Sequence, residues 1–233
     1  MKKLSFLIAF LLLLTLQALK ADILGDWTFE TSQPATAGPF NPEIGSGSAS
    51  GFHAGAAVYS SPSGNGSLHS FSSTLWTVND YYQFEVNTLG HSGVTLSFDQ
   101  TSSNTGPGGY NLAYSTDGVN FTSFASYTVL ANASPNITWN TTVYNSAYTF
   151  NFDLSTVSAL NNQSMVFFRL VDNSTGSASG GTVGTTGTDR VDNFVVSAAL
   201  VPEPASPALC LSGGLVGALL LASRKRRLQL RLN

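Results

Sequence analysis

The amino-acid sequence predicts an all-β protein built as an antiparallel β-sandwich. Between its two ends the chain consists of short runs of β-branched and aromatic residues, several of them alternating with polar residues. Clusters of Gly, Ser and Asn separate these runs. No long amphipathic helical pattern competes with them. The predicted strands are, in chain order, 26–30, 81–86, 94–98, 110–114, 148–152, 165–171 and 191–196.

An Asp-Gly pair at 117–118 marks the most specific turn in the sequence. It stands between two of the runs, and this dipeptide is typical of a tight hairpin, so we expect 110–115 and 120–124 to pair as antiparallel neighbours. Many short strands joined by polar turns favour a jelly-roll-like topology. Two stretches dominated by small and polar residues, 33–66 and 173–188, are expected to be long loops.

The N-terminus has the pattern of a secretory signal peptide. Two lysines give it a basic start, an apolar core follows from 4 to 16, and small residues precede Asp22. This pattern predicts export of the chain and removal of residues 1–21. The β-sandwich is expected over 22–200, a length that suits one domain with its own hydrophobic core.

The C-terminus has the pattern of a membrane anchor. Residues 205–223 carry no charge, and a helix needs about 20 apolar residues to cross the hydrocarbon core of a bilayer. A basic cluster follows at once, which the positive-inside rule assigns to the cytoplasmic side. This cluster consists of Arg224, Lys225, Arg226 and Arg227. The sequence therefore predicts a single transmembrane helix over 205–223 with its tail inside the cell.

A proline-rich segment directly precedes the predicted helix. It comprises Val201, Pro202, Glu203 and Pro204, and its two prolines favour an extended, accessible backbone. Together, the Pro-Glu-Pro motif, the apolar helix and the basic cluster within 201–227 resemble the PEP-CTERM sorting signal of exported bacterial proteins. The resemblance implies that an exosortase, a membrane-embedded cysteine transpeptidase-like enzyme, processes the chain at this motif. It also implies a cell-surface or extracellular-matrix protein, transiently anchored in the membrane, in a bacterium that makes exopolysaccharide or biofilm.

Charge is distributed unevenly along the chain, and this limits the classes of partner. All 13 acidic residues lie between Asp22 and Pro204, where Arg169 and Arg190 are the only basic residues. A lysine-free acidic body cannot neutralise phosphates, which argues against nucleic-acid binding. The single cysteine, Cys210, lies inside the predicted helix, so the body must rely on its hydrophobic core without disulfides.

The sequence contains no recognisable catalytic motif. Its three histidines lack metal-ligand spacing, and there is no Gly-x-Ser-x-Gly sequence. We therefore predict a non-enzymatic structural protein associated with exopolysaccharide, and two alternatives stay open. One is a carbohydrate-binding module of jelly-roll type, and the other, behind it, is a secreted glycoside hydrolase, which needs a pair of carboxylates. The acidic residues available for such a pair are Glu30, Glu43, Glu85, Asp99 and Asp153.

A possible structural calcium ion is the one cofactor that the sequence suggests. The segment 190–197 resembles the last strand of jelly-roll modules in secreted and carbohydrate-binding proteins, in which calcium often joins the first and last strands. Glu30 and Asp192 occupy comparable positions here, and calcium prefers carboxylate and carbonyl oxygens. The alternative is an exposed glutamate and a turn-capping aspartate.

The aromatic residues of the body allow two interpretations. They either present flat rings to sugars or fill the core of the sandwich, and we predict that core filling prevails. The residues concerned are Trp27, Trp76, Trp139, Tyr81, Tyr82 and Tyr110.

Overall fold

A computed structural model describes residues 21–201 of the chain, and its twelve strands pair only in antiparallel fashion within that range. Two single turns of 3-10 helix, Ser146–Tyr148 and Ser158–Leu160, accompany the strands. The strands are β1 (Ala21–Trp27), β2 (Ile44–Gly45), β3 (Gly47–Phe52), β4 (Tyr59–Ser60), β5 (Phe71–Thr74), β6 (Tyr81–Val86), β7 (His91–Ser102), β8 (Gly109–Ser115), β9 (Thr122–Thr128), β10 (Thr149–Asp153), β11 (Val166–Asp172) and β12 (Thr188–Leu200).

The strands form two sheets that face each other across one hydrophobic core. The larger sheet has seven strands in the order β10-β7-β12-β1-β2, and β5 joins it by pairing with β12 while β4 pairs with β5. The smaller sheet has five strands in the order β3-β6-β11-β8-β9. Buried side chains from both sheets form a single cluster, so the prediction of an all-β antiparallel sandwich is confirmed.

Aromatic residues from both sheets meet at the centre of this core. The rings of Phe84 on β6 and Phe194 on β12 are parallel, with centroids 3.5 Å apart. Trp27 on β1 packs edge-on against Phe84 at 5.3 Å, and all three side chains are fully buried. Burial of this much apolar surface is the main favourable contribution to folding.

The five-stranded sheet has one buried face and one outer face. Along β6, residues 82, 84 and 86 are fully buried, and along β11 residues 166, 168 and 170 are fully buried. Side chains alternate between the two faces of a strand, so the residues between these positions lie on the outer face. Residues 81, 83 and 85 of β6 and residues 167, 169 and 171 of β11 therefore face outward.

Most predicted strands lie where the sequence placed them. The strand at 81–86 is confirmed as β6, and the Asp-Gly hairpin is confirmed because β8 pairs with β9 across the turn at 117–118. The loop predicted over 33–66 is wrong in part, since β2, β3 and β4 lie within it. The first strand is shifted, because β1 ends at Trp27 and Phe29 has a positive φ of 58° that ends extended pairing.

Candidate functional site

Four planar side chains form a row on the outer face of the five-stranded sheet. Phe52, at the end of β3, stacks on Tyr81 of β6 with ring centroids 4.9 Å apart and planes 17° from parallel. The guanidinium carbon of Arg169, on β11, lies 3.9 Å from the centroid of Tyr81 and 3.6 Å from the centroid of Phe121. We call Phe52, Tyr81, Arg169 and Phe121 the planar row.

The order of the strands explains why these residues meet. β6 pairs with β3 on one side and with β11 on the other, so Tyr81 lies between the other two strands. Phe52 is directly opposite Tyr81 in the first pairing, and Arg169 is opposite Gln83 in the second. Side chains of opposite and diagonal residues on one face are close enough to interact. The planar row therefore runs across the strands rather than along one of them.

The planar row is accessible to solvent. Phe52 is 46% exposed, more than any other phenylalanine among residues 21–201, and the other three side chains are partly exposed. Burial lowers the pKa of the Arg169 guanidinium, but an arginine keeps its charge at any physiological pH. The row thus combines an open aromatic surface with a positive charge.

Polar side chains beside the planar row form a fixed chain of hydrogen bonds. Arg169 Nε donates to Gln83 Oε1 at 2.7 Å, and Gln83 Nε2 donates to Glu85 Oε1 at 2.8 Å. The Gln83 amide uses one acceptor and one donor in this chain, which determines its orientation. On β8, Asn111 Oδ1 accepts from Ser126 Oγ at 2.6 Å and from Asn173 Nδ2 at 2.9 Å. The same face therefore offers both donors and acceptors around the aromatic rings.

A buried Asp-His-Ser arrangement lies close to one end of the planar row. His53 Nδ1 is 2.9 Å from Asp80 Oδ2, too bent for a well-aligned hydrogen bond, and His53 Nε2 is 3.0 Å from Ser73 Oγ. Burial lowers the pKa of His53, and the Asp80 carboxylate opposes this effect. Ser73 is fully buried, and Trp76 packs against the imidazole at 4.7 Å. A hydroxyl enclosed in this way has no access to a substrate, so the arrangement holds the structure together.

Four of the five carboxylates considered for a hydrolase take part in hydrogen bonds away from the planar row. Each accepts from a nearby backbone amide or polar side chain, as a structural carboxylate does. Glu85 is the exception, because it belongs to the polar chain beside the row. The donors are His69 N to Glu30, Thr28 N to Glu43, Asn193 Nδ2 to Asp99 and Ser155 N to Asp153.

The two predicted calcium ligands contact the same loop. Glu30 Oε1 accepts from His69 N at 2.8 Å, while the fully buried Asp192 accepts from Asn65 N at 2.8 Å and from Ser67 Oγ at 2.7 Å. Both carboxylates therefore hold the loop through N–H and O–H donors. Within residues 21–201, no group of three or more His, Cys, Asp or Glu side chains has the spacing of a metal site. The calcium site stays a prediction.

Most of the sorting signal lies outside the described residues. Val201 is the last of these and is 46% exposed. Pro202, Glu203, Pro204 and the basic cluster follow it, and residues 1–20 of the predicted signal peptide precede the described range, whose first residue, Ala21, belongs to β1. Over 21–201, no helix has the length and apolar character needed to cross a bilayer.

The protein matches no family model and no curated protein. Among solved structures it is similar to the tandem CBM22-1–CBM22-2 domain of Xyn10C from Paenibacillus barcinonensis, with a TM-score of 0.46 and 15% identity over 80% of this chain. The chain spans about half of that tandem, 51% of its length. It is also similar to the K1 cleaved adhesin domain of Lys-gingipain from Porphyromonas gingivalis W83, with a TM-score of 0.43 and 12% identity over 78% of this chain and 99% of that one.

The sequence indicated one member of the planar row, Tyr81, as a candidate for sugar contact but did not indicate the other three. Core filling is confirmed for four of the six aromatic residues considered; Trp139 is buried against Tyr148 outside the core cluster, and Tyr81 lies on the outer face. The outward orientation of Arg169 could have been predicted, because a charged residue in the middle of an apolar strand must face outward. The position of Phe52 could not, because it lies in a segment of Gly, Ser and Ala for which a loop was predicted.

Proposed function

We propose that the β-sandwich is a non-catalytic polysaccharide-binding domain and that the planar row is its binding site. The observation that carries this proposal is the exposed Phe52 ring, held flat against Tyr81 on an open sheet face. The apolar face of a sugar ring packs well on an aromatic ring, and its hydroxyl groups need polar partners at the ring edge. The polar chain of Arg169, Gln83 and Glu85 offers such partners beside the row.

An open sheet face suits a polymer better than a small molecule. A sugar chain extends beyond each contact, so it can lie along a row of residues without being enclosed. The row and its polar neighbours are fixed by stacking and hydrogen bonding before any ligand arrives, and this lowers the entropy lost on binding. The geometry thus favours recognition of a chain segment over catalysis at a single bond.

Replacing Phe52 by alanine is expected to weaken binding to polysaccharide at least tenfold, because one stacked ring contributes about 1.4 kcal/mol or more. Affinity electrophoresis in gels that contain bacterial exopolysaccharide measures this loss. Ile137→Ala is the matched control, since it removes a hydrophobic residue that is even more exposed, 65% against 46% for Phe52, from the β9–β10 connection. The proposal fails if the wild-type protein binds no polysaccharide, or if the two variants bind alike.

We further propose that the chain is exported, anchored and processed as a PEP-CTERM protein. The supporting observation is the three-part sequence at its end, Pro-Glu-Pro followed by 205–223 and the basic cluster, together with a signal peptide at its start. Processing by an exosortase would place the body at the cell surface or in the extracellular matrix, where polysaccharide is available. The polysaccharide-binding body and the sorting signal would then serve one structural role.

Replacing Pro202, Glu203 and Pro204 by alanines is expected to leave membrane insertion intact and to trap the full-length protein in the membrane. The reason is that the extended motif that the enzyme recognises is gone while the apolar segment remains. Neutralising Arg224, Lys225, Arg226 and Arg227 should instead let the tail slip or invert, since the positive charges fix its side. Fractionation in a host with an exosortase separates these outcomes. Release of the triple-alanine variant at the wild-type rate would refute the sorting proposal.

A further inference from the structure

Arg169 is held rigidly in the planar row. Its guanidinium packs between two aromatic rings, at 3.9 and 3.6 Å from their centroids, and its Nε–H is used by Gln83. Both faces and one edge of the group therefore have partners. Within the described part of the chain, neither Nη atom donates to a protein acceptor, and no carboxylate lies within 4.0 Å of the guanidinium nitrogens. The Nη edge is left with its N–H donors and its charge.

This free edge has a preferred partner. The N–H groups of a guanidinium are coplanar and match the two oxygens of a carboxylate, with which they form paired, charge-assisted hydrogen bonds. A neutral sugar hydroxyl offers a single oxygen and a weaker bond. An arginine already fixed by stacking loses little side-chain entropy on forming such a pair, so its selectivity for a carboxylate is enhanced.

We propose that the planar row binds an acidic polysaccharide, with the carboxylate of a uronic acid on the Nη edge of Arg169 and a neighbouring sugar ring stacked on Phe52. This inference rests on the proposed polysaccharide-binding function and names its ligand class. Phe52 and Arg169 lie on β3 and β11, two strand spacings apart, which is about 10 Å. A segment of a few consecutive sugars of one chain can cover that span.

Within residues 21–201, Arg169 is the only arginine or lysine on this outer face. The other basic residue of the body, Arg190, is largely buried and reaches Ser63 Oγ at 3.4 Å, so it is not part of the outer face. Glu85 is on the same face, but Gln83 lies between it and Arg169 and donates to it. At physiological ionic strength charges more than about 8 Å apart are largely screened, so the more distant acidic residues of the body have little effect on a carboxylate at the Nη edge.

The test compares matched pairs of ligands on the full-length protein in detergent. Polygalacturonate, alginate and hyaluronate are each titrated beside a counterpart whose carboxylates have been converted to neutral methyl esters. We expect at least one acid to bind tenfold or more tightly than its ester, and we expect this preference to shrink as salt is raised from 50 to 500 mM, since the ion pair is partly exposed.

Variants assign the preference to Arg169. Arg169→Gln is expected to abolish the difference between acid and ester while keeping weak binding to both, and Arg169→Lys to retain only a small part of it. Phe52→Ala should weaken acid and ester by the same factor. If the wild-type protein binds the esters as tightly as the acids in all three pairs, the acidic ligand class is wrong and polysaccharide binding stands. If it binds no polysaccharide, both proposals fall. The wild-type comparison needs no variant to fold.

Discussion

Asp80→Ala is expected to destabilise the protein by about 3–5 kcal/mol, the largest effect of any single polar substitution considered. Asp80 is fully buried and accepts hydrogen bonds from Ala54 N at 2.8 Å, Thr77 N at 2.7 Å and Thr77 Oγ1 at 3.0 Å. It also lies 2.9 Å from the His53 imidazole. Its removal leaves the His53 imidazole, whose side chain is 2% exposed, and three partly buried donors without their acceptor, and the loss of several such interactions carries a penalty of this size.

Urea denaturation measures this loss. Asp153→Ala is the matched control, because Asp153 is exposed at the end of β10 and its hydrogen-bond partner among the described residues is Ser155. We expect the control to change the free energy of unfolding by less than about 1 kcal/mol. Equal effects of the two substitutions would contradict the structural role assigned to Asp80.

The Asp80 substitution is also expected to disturb the geometry of the planar row. Asp80 directly precedes Tyr81, and through Ala54 and His53 it holds the chain just after Phe52. A variant that is still folded at low temperature is therefore expected to bind polysaccharide more weakly, although Asp80 itself is fully buried. Binding measured at 10 °C, with the folded fraction checked by circular dichroism, separates this effect from unfolding.

Asp172→Asn is expected to stabilise the protein at pH 8 by about 1–3 kcal/mol and to have little effect at pH 4. Burial, together with the nearby Asp80 charge, raises the pKa of Asp172 from 3.8 to about 6, against one hydrogen bond from Ser174 N. Its Oδ2 atom is buried and has no partner among the described residues. The native state therefore holds the proton more tightly than the unfolded chain. The free energy of unfolding falls as the pH rises from about 4 through about 6.

Asparagine cannot ionise, so the variant avoids this penalty above pH 6. Chemical denaturation of both proteins at pH 4, 6 and 8 gives the profile. Asp153→Asn serves as a control with the opposite sign, because hydrogen bonds from Ser155 lower the pKa of that carboxyl. A stability difference between Asp172→Asn and the wild type that is the same at all three pH values would show that Asp172 does not titrate as described.

Some strands could be predicted from the pattern of apolar residues along the sequence, and others could not. β6 alternates partly, and β11 is an apolar, β-branched and aromatic run interrupted by Arg169, so their positions follow from the sequence. The position of β3 does not, because close approach rather than side-chain packing determines its composition. A Cβ atom at Gly47 would lie 1.9 Å from the Glu85 carbonyl oxygen, and one at Gly51 would lie 2.6 Å from the Tyr59 ring. Small residues such as glycine and serine allow this close approach, but a run of them in a sequence also predicts a loop.

The candidate site was less predictable than the fold. Its members come from β3, β6, β11 and the turn before β9, and they meet only through the order and register of the strands. No local pattern encodes that order. The buried Asp80, His53 and Ser73 were equally inaccessible to sequence reasoning, since a polar residue inside a domain resembles a polar residue on its surface until its partners are known.

The position of β12 has a consequence for how the chain comes to be folded. This strand is the last of the described strands, and yet it lies in the middle of the seven-stranded sheet, between β7 and β1, with β5 also pairing to it. A nascent chain that has emerged only as far as β11 lacks the strand that joins these three. It also lacks Phe194, the ring against which Phe84 packs. Such long-range pairing is slow to form. The sandwich can therefore fold stably only after residues near 200 have emerged from the ribosome. Until then the nascent chain stays unfolded.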